Sequence, residues 1–165
     1  MNPNTTTPSQ AITLDGPDWT IAIDPHDKGR DEKWFEAPRP EAQPATVPCT
    51  IQEMFPSYAG LAWYWKAFEA PKNPHLGGRY LLRFWMVDYK ADAWVNGQFV
   101  GSHEIADEPF VLDATEAVCA GTNVLAVRVL HPTATRMDGI VQPETPNGPK
   151  GGLPGSDWNF GGILA

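Results

Sequence analysis

Short runs of Trp, Tyr, Phe, Val and Leu recur along this chain, and the gaps between them hold Pro, Gly, Asn and Asp. That punctuation constrains the fold more than any other feature. Proline fixes φ and lacks a backbone donor, and glycine weakens helix interiors, so 17 prolines and 15 glycines in 165 residues leave little room for helix. What remains is strands joined by turns. Hydrophobic residues make up 42% of the chain and charged residues 19%, which supplies a core and argues against disorder. The length suits one domain.

Residues 63–69 and 79–87 are aromatic and long enough for core strands. Asn96-Gly97 between residues 91–95 and 98–101 predicts a hairpin, because a type I′ turn needs positive φ at both central positions. Further strands are expected at residues 12–14 and 19–23, split by the Asp15-Gly16-Pro17-Asp18 turn, and at residues 109–112. One helical turn is expected at residues 113–117 with Asp113 as N-cap. Residues 123–130 alternate, with Leu125, Val127 and Val129 facing a core and Arg128 facing a less buried side. Residues 24–48 carry Pro38, Pro40, Pro44 and Pro48 and read as an irregular excursion pinned by Trp34-Phe35. Residues 1–10 read as a disordered tail, 132–156 as a Pro/Gly-rich loop, and 158–165 as an incomplete last strand of a single domain spanning 11–165. The pattern implies an all-β fold, an antiparallel β-sandwich of the jelly-roll kind.

The formal net charge is -8 and no Lys/Arg cluster is present, so neither nucleic acid nor a membrane is expected as a partner. Neutral sugars need no such steering. No segment approaches the roughly 18 apolar residues of a membrane span. Cys49 and Cys119 are too few for a disulfide framework or a zinc site and are expected as buried thiols. The first ten residues lack a basic region followed by an apolar one, and a cytoplasmic location is the expectation.

An ordered series of local patterns carries a family resemblance. Trp19 opens a strand, followed by Asp24-Pro25, Gly29, Lys33-Trp34-Phe35 and Thr46-Val47-Pro48, where Cys49 and Ile51 stand in place of a usual glycine and aromatic. Gly60 and Trp63-Tyr64 lead to Phe68 in a Gly-x-x-Trp-Tyr-x-x-x-Phe strand. Leu82-Arg83-Phe84, Val87-Asp88-Tyr89, Ala93-Trp94-Val95-Asn96-Gly97 and Val100-Gly101-Ser102-His103 follow, then Pro109-Phe110, Asp113-Ala114-Thr115, Gly121-Thr122-Asn123, Asp138-Gly139-Ile140 and Asp157-Trp158-Asn159-Phe160-Gly161-Gly162-Ile163. In this order they resemble the galactose-binding-like sandwich that opens family 2 glycoside hydrolases, which include β-galactosidases, β-glucuronidases and β-mannosidases.

The resemblance implies a C-terminally truncated, non-catalytic domain of an enzyme acting on β-glycosides. In that family the two carboxyls, about 5 Å apart for a retaining mechanism, lie in a barrel beyond residue 165, so no catalytic residue is expected in this chain. It implies β-glycoside and the following domains of the same enzyme as partners, no cofactor for this chain, and a monovalent or divalent cation in the parent enzyme. A homo-oligomer stays open. Asp157 matches an acidic residue that contacts substrate and a monovalent cation in the β-galactosidase branch, although an Asp after Gly155-Ser156 also serves as a turn cap. Trp158 offers a stacking face for a sugar, or packs in a core or against another domain. His103 beside Glu104 suggests acid/base or metal chemistry, with structural hydrogen bonding favoured. His26, His75 and His131 lie isolated on loops. Trp63, Trp65 and Trp85 read as sandwich core, and Trp94 as outward-facing, exposed or under a neighbouring domain. A free-standing carbohydrate-binding module and a purely structural interaction domain are the competing readings.

Overall fold

The structure, a computed structural model, describes residues 9–106, 108–141 and 161–164. Its strands are β1 (Gly16–Ile23), β2 (Gln43–Val47), β3 (Cys49–Thr50), β4 (Leu61–Glu69), β5 (Leu81–Phe84), β6 (Val87–Asp88), β7 (Lys90–Val95), β8 (Gln98–Glu104), β9 (Phe110–Asp113), β10 (Thr122–Leu130) and β11 (Gly162–Ile163). A four-residue helix, α1 (Ile51–Met54), follows β3 and is closed by a capping box between Thr50 and Glu53. All strand pairs are antiparallel.

Six strands form one sheet in the order β2-β1-β4-β10-β7-β8. Facing it are a three-stranded sheet, β3-β11-β6, and a pair, β5-β9. Ile21, Tyr64, Val95, Leu125, Val127 and Val129 from the large sheet meet Val87, Phe84, Phe110 and Ile163 in the interlayer core. This is the antiparallel sandwich the strand pattern implies. The Asn96-Gly97 hairpin joins β7 to β8 with φ of 52° and 79°. Asn96 also donates from Nδ2 to Ala117 O at 2.9 Å and to Asn123 Oδ1 at 2.7 Å, so the turn is tied to the segment before β10. Asp113 caps its turn by accepting from Thr115 N at 3.0 Å.

Several expectations are corrected. Residues 12–14 form no strand; that segment is held by Trp19 Nε1 donating to Leu14 O at 2.7 Å. The run 79–87 divides because β5 pairs with β9 whereas β6 pairs with β11. Trp85 falls at that change of partner and is 57% exposed, with the Arg83 guanidinium 4.9 Å from its ring centroid. The excursion ends in β2, an edge strand, where Pro44 costs no ladder bond to a further strand. Cys49 is buried but Cys119 is exposed. Burial, with Glu53 nearby, pushes the Cys49 thiol up to about 11.

The largest correction concerns the far face of the six-stranded sheet. Trp63 and Trp65 are buried, but on this face and not between the layers. Strand register sets the rows: Ala22, Trp63, Arg128 and Asp92 lie side by side, as do Thr20, Trp65, Ala126 and Trp94. The excursion covers them. Trp63 Nε1 donates to Asp24 Oδ2 at 3.2 Å and Trp65 Nε1 donates to Trp34 O at 2.7 Å. Trp94 does face outward, yet Phe35 of the same chain stacks on it at 5.5 Å and it is buried. Arg128 is fully buried too.

Trp65→Phe keeps an aromatic ring and removes the bond to Trp34. We expect a loss of about 1–2 kcal/mol in chemical denaturation and faster amide exchange confined to residues 28–42. Unchanged exchange there would show that this bond does not hold the excursion.

Candidate functional site

The Asp157-Trp158 pair singled out by sequence lies outside the described residues, but the chain on both sides of its segment is described. β10 ends at Leu130, and His131 N donates to Gly60 O at 2.9 Å. His131 does lie in the loop after β10, but it is buried there. A Cβ built on Gly161 would come within 2.6 Å of His131 Cβ, so residues 131 and 161 are packed together. The intervening segment therefore leaves from and returns to one place.

The return is firmly seated. Ile51 N donates to Gly161 O at 2.7 Å, Gly161 N donates to Gln52 Oε1 at 3.1 Å, and Leu164 N donates to Met86 O at 3.0 Å. β11 fills the centre of the three-stranded sheet, pairing Gly162 with Thr50 and Asp88, and Ile163 with Cys49 and Val87. Gly162 has φ of 153°, and a Cβ there would stand 2.4 Å from Cys49 O and 3.0 Å from the Tyr64 hydroxyl. Glycine is required at this position.

The departure is held by charge. Arg128 Nη1 donates to Asp92 Oδ2 at 3.0 Å and to Asp138 Oδ2 at 2.5 Å, and Nη2 donates to Asp27 Oδ1 at 2.8 Å. Arg30 adds bonds to Asp92 at 2.5 Å and to Asp138 at 2.7 Å, and Lys90 Nζ stands 3.9 Å from Asp138. Three cations thus face three carboxylates. Asp138-Gly139 forms a tight turn closed by reciprocal backbone bonds between Met137 and Ile140. Burial would raise the Asp138 carboxyl, but Arg128 and then Arg30 outweigh it and hold it below its ordinary value of 3.8. Asp92 and Asp138 are committed to guanidinium groups, so this cluster fastens the chain; it does not form an acid/base pair. Sequence reading missed it. The signal was Arg128 in an otherwise apolar strand.

His103 lies on β8, with its ring stacked on Phe110 at 4.3 Å. Its buried Nε2 has no hydrogen-bond partner among the described residues. Stacking holds this ring, not the structural hydrogen bond expected for it. Its neighbour Glu104 accepts from the Tyr89 hydroxyl at 3.2 Å, and adjacent strand residues point to opposite faces, so the two do not form a pair. Among the described residues no group of three or more His, Cys, Asp or Glu side chains is placed to hold a metal ion.

Two consequences can be measured. Gly162→Ala should cost at least about 1–3 kcal/mol by thermal melting, since backbone lies where the methyl would go; a neutral result would remove β11 from its position. A carboxylate held below its unfolded pKa contributes stability that is complete above the unfolded value and is lost as pH falls through the folded one. Melting temperature should therefore drop below about pH 4, and Asp138→Asn should flatten part of that acid limb. An unaltered limb would show that another group is responsible.

Comparison with known proteins matches this architecture. Residues 12–163 fit the model of the sugar binding domain of glycosyl hydrolases family 2. The β-glucuronidase of Paenibacillus borealis is 32% identical over 108 residues, covering 62% of this chain and 18% of that enzyme. A β-galactosidase of Thermoanaerobacter pseudethanolicus is 35% identical over 74 residues, covering 44% of this chain and 10% of that enzyme. A β-glucuronidase structure from Ruminococcus gnavus superimposes with a TM-score of 0.74 over 96% of this chain and 30% of its own, at 21% identity, a likeness of fold. The chain thus spans less than a fifth of the length of the curated relatives it matches. On the extent of the family match and the sandwich that accompanies it, this chain belongs to glycosyl hydrolase family 2, in which it is the sugar-binding domain.

Proposed function

We propose that this chain is the non-catalytic sugar-binding sandwich of an enzyme that hydrolyses β-glycosides, and that the segment between Val141 and Gly161 lines the substrate pocket through Asp157 and Trp158. The observation that carries this reading is that the described chain on both sides of the segment is fixed in place. His131 packs on Gly161, β11 is locked between β3 and β6, and Asp138 is bound to two arginines. A substrate-contacting group must be held by rigid supports to be useful in a transition state, and both ends of this segment have them. Asp157 would accept hydrogen bonds from sugar hydroxyls, and the indole of Trp158 would cover an apolar sugar face.

Hydrolysis itself belongs to carboxyls in other domains of the enzyme, which are this chain's partners. Among the described residues no group of side chains is placed to hold the cation that the family resemblance allows. Several relatives are named β-glucuronidase, which makes an aryl β-glucuronide the first substrate to test.

In the whole enzyme, Asp157→Asn should lower kcat/KM by roughly 10- to 100-fold, the loss expected for a hydrogen bond to a charged group. The melting temperature should be unaltered. Unchanged kinetics would take Asp157 out of the pocket, and a parallel fall in stability would make it a structural turn residue.

A further inference from the structure

The sandwich has two outer faces, and they are treated differently by its own chain. The far face of the six-stranded sheet is sealed by residues 24–42. On the opposite layer β5 and β9 alternate cleanly: Leu82, Phe84, Phe110 and Leu112 turn inward to the core, and Leu81, Arg83, Val111 and Asp113 turn outward and are exposed. Trp85 joins the outward set, since the Arg83 guanidinium lies 4.9 Å from its ring centroid. Leu81, Trp85 and Val111 are 52%, 57% and 48% exposed, and they make up half of the large hydrophobic residues left exposed in the described chain. The others are scattered: Ile12 precedes β1, Leu76 lies on the loop before β5, and Phe99 packs on Trp94 at the far face.

Single exposed side chains are ordinary, whereas an apolar patch with a polar rim marks a contact surface. This face has that anatomy. Val111 stands directly across from Arg83 and diagonal to Leu81. Arg79 and Asp113, paired at 3.5 Å, border the patch at one end, and Arg83 forms no salt bridge among the described residues. The other end adjoins the path of the last strand. β11 runs antiparallel to β6 and carries the chain to Leu164, whose N donates to Met86 O, next to Trp85. A polypeptide that runs on from Leu164 starts at the edge of this patch, and a short tether raises the effective concentration of whatever it carries there.

We propose that the outer face of β5 and β9 seats the domain that follows this one in the same polypeptide, with an apolar surface against Leu81, Trp85 and Val111 and a carboxylate opposite Arg83. This rests on the reading of the chain as one domain of a larger enzyme; the chain spans less than a fifth of the curated relatives it matches, so most of such an enzyme lies outside it. Hydroxyl-radical footprinting of the whole enzyme, folded and in urea, tests the docking without any substitution. Left bare, Trp85 would be oxidised at roughly half its unfolded rate, whereas docked it should fall to roughly a tenth, and Leu81 and Val111 with it. With p-benzoylphenylalanine in place of Val111, illumination should join residue 111 to a peptide of the following domain in a product of monomer mass. Oxidation of Trp85 at half its unfolded rate, an adduct confined to this domain, or an adduct to a second copy at dimer mass would overturn the proposal. Neither readout involves substrate: a whole protein without glycosidase activity would sink the proposed function, and a bare Trp85 in an active enzyme would sink the docking face alone.

Discussion

A guanidinium cannot shed its proton inside a protein, so a fully buried Arg128 dictates what surrounds it. Its neighbours come from three distant parts of the chain: Asp27 in the excursion, Asp92 on β7 and Asp138 beyond β10. Each supplies negative charge that the arginine requires, and Arg30 and Lys90 balance the surplus. Such clusters are poor evidence of net stability, because desolvation consumes much of the attraction. They are good evidence of registration. An alternative placement of the excursion or of the Asp138 turn would leave a charge buried without a partner.

That requirement explains why the domain is thicker than two sheets. The interlayer core is apolar and ordinary for a sandwich. The far face is mixed, with indole rings at one end and ion pairs beside them, and it is sealed by the chain from Asp24 to Ala42. Indoles suit this role because a single side chain contributes a large apolar surface and one N–H donor. Trp63 and Trp65 use both, packing against the sheet while bonding the segment that covers them.

Much of the sandwich was legible in the sequence because strand character is local. The Asn96-Gly97 turn, the aromatic run of β4 and the alternation of β10 each need only neighbouring residues to be read. Long-range facts were not legible in the same way. Alternation says that Arg128 points away from Leu125 and Val127, but not that another segment lies over it. Trp85 read as core because its run is apolar, whereas the strand changes partners there. The base of the candidate site was half visible: Asp138-Gly139 and Gly161-Gly162 stood out as motifs, but the packing of His131 on Gly161 depends on residues thirty positions apart in a fold not yet known. His103 was chosen for its chemistry and is held by a stacking contact that no spacing rule reveals.

The central position of β11 bears on the order in which the molecule assembles. Its ladder partners are residues 49–50 and 87–88, so the closing pairs span more than a hundred and more than seventy positions of chain. Bringing ends together over such lengths is entropically slow, and it follows contacts that cost less, such as the β7-β8 hairpin. Until residues 162–163 arrive, β3 and β6 have no strand between them, and the layer they form with it exists only as two exposed edges. The residues that join the two edges into one layer are thus the same ones that fix the end of the candidate loop, and one short strand serves both the sheet and the segment that leads into it.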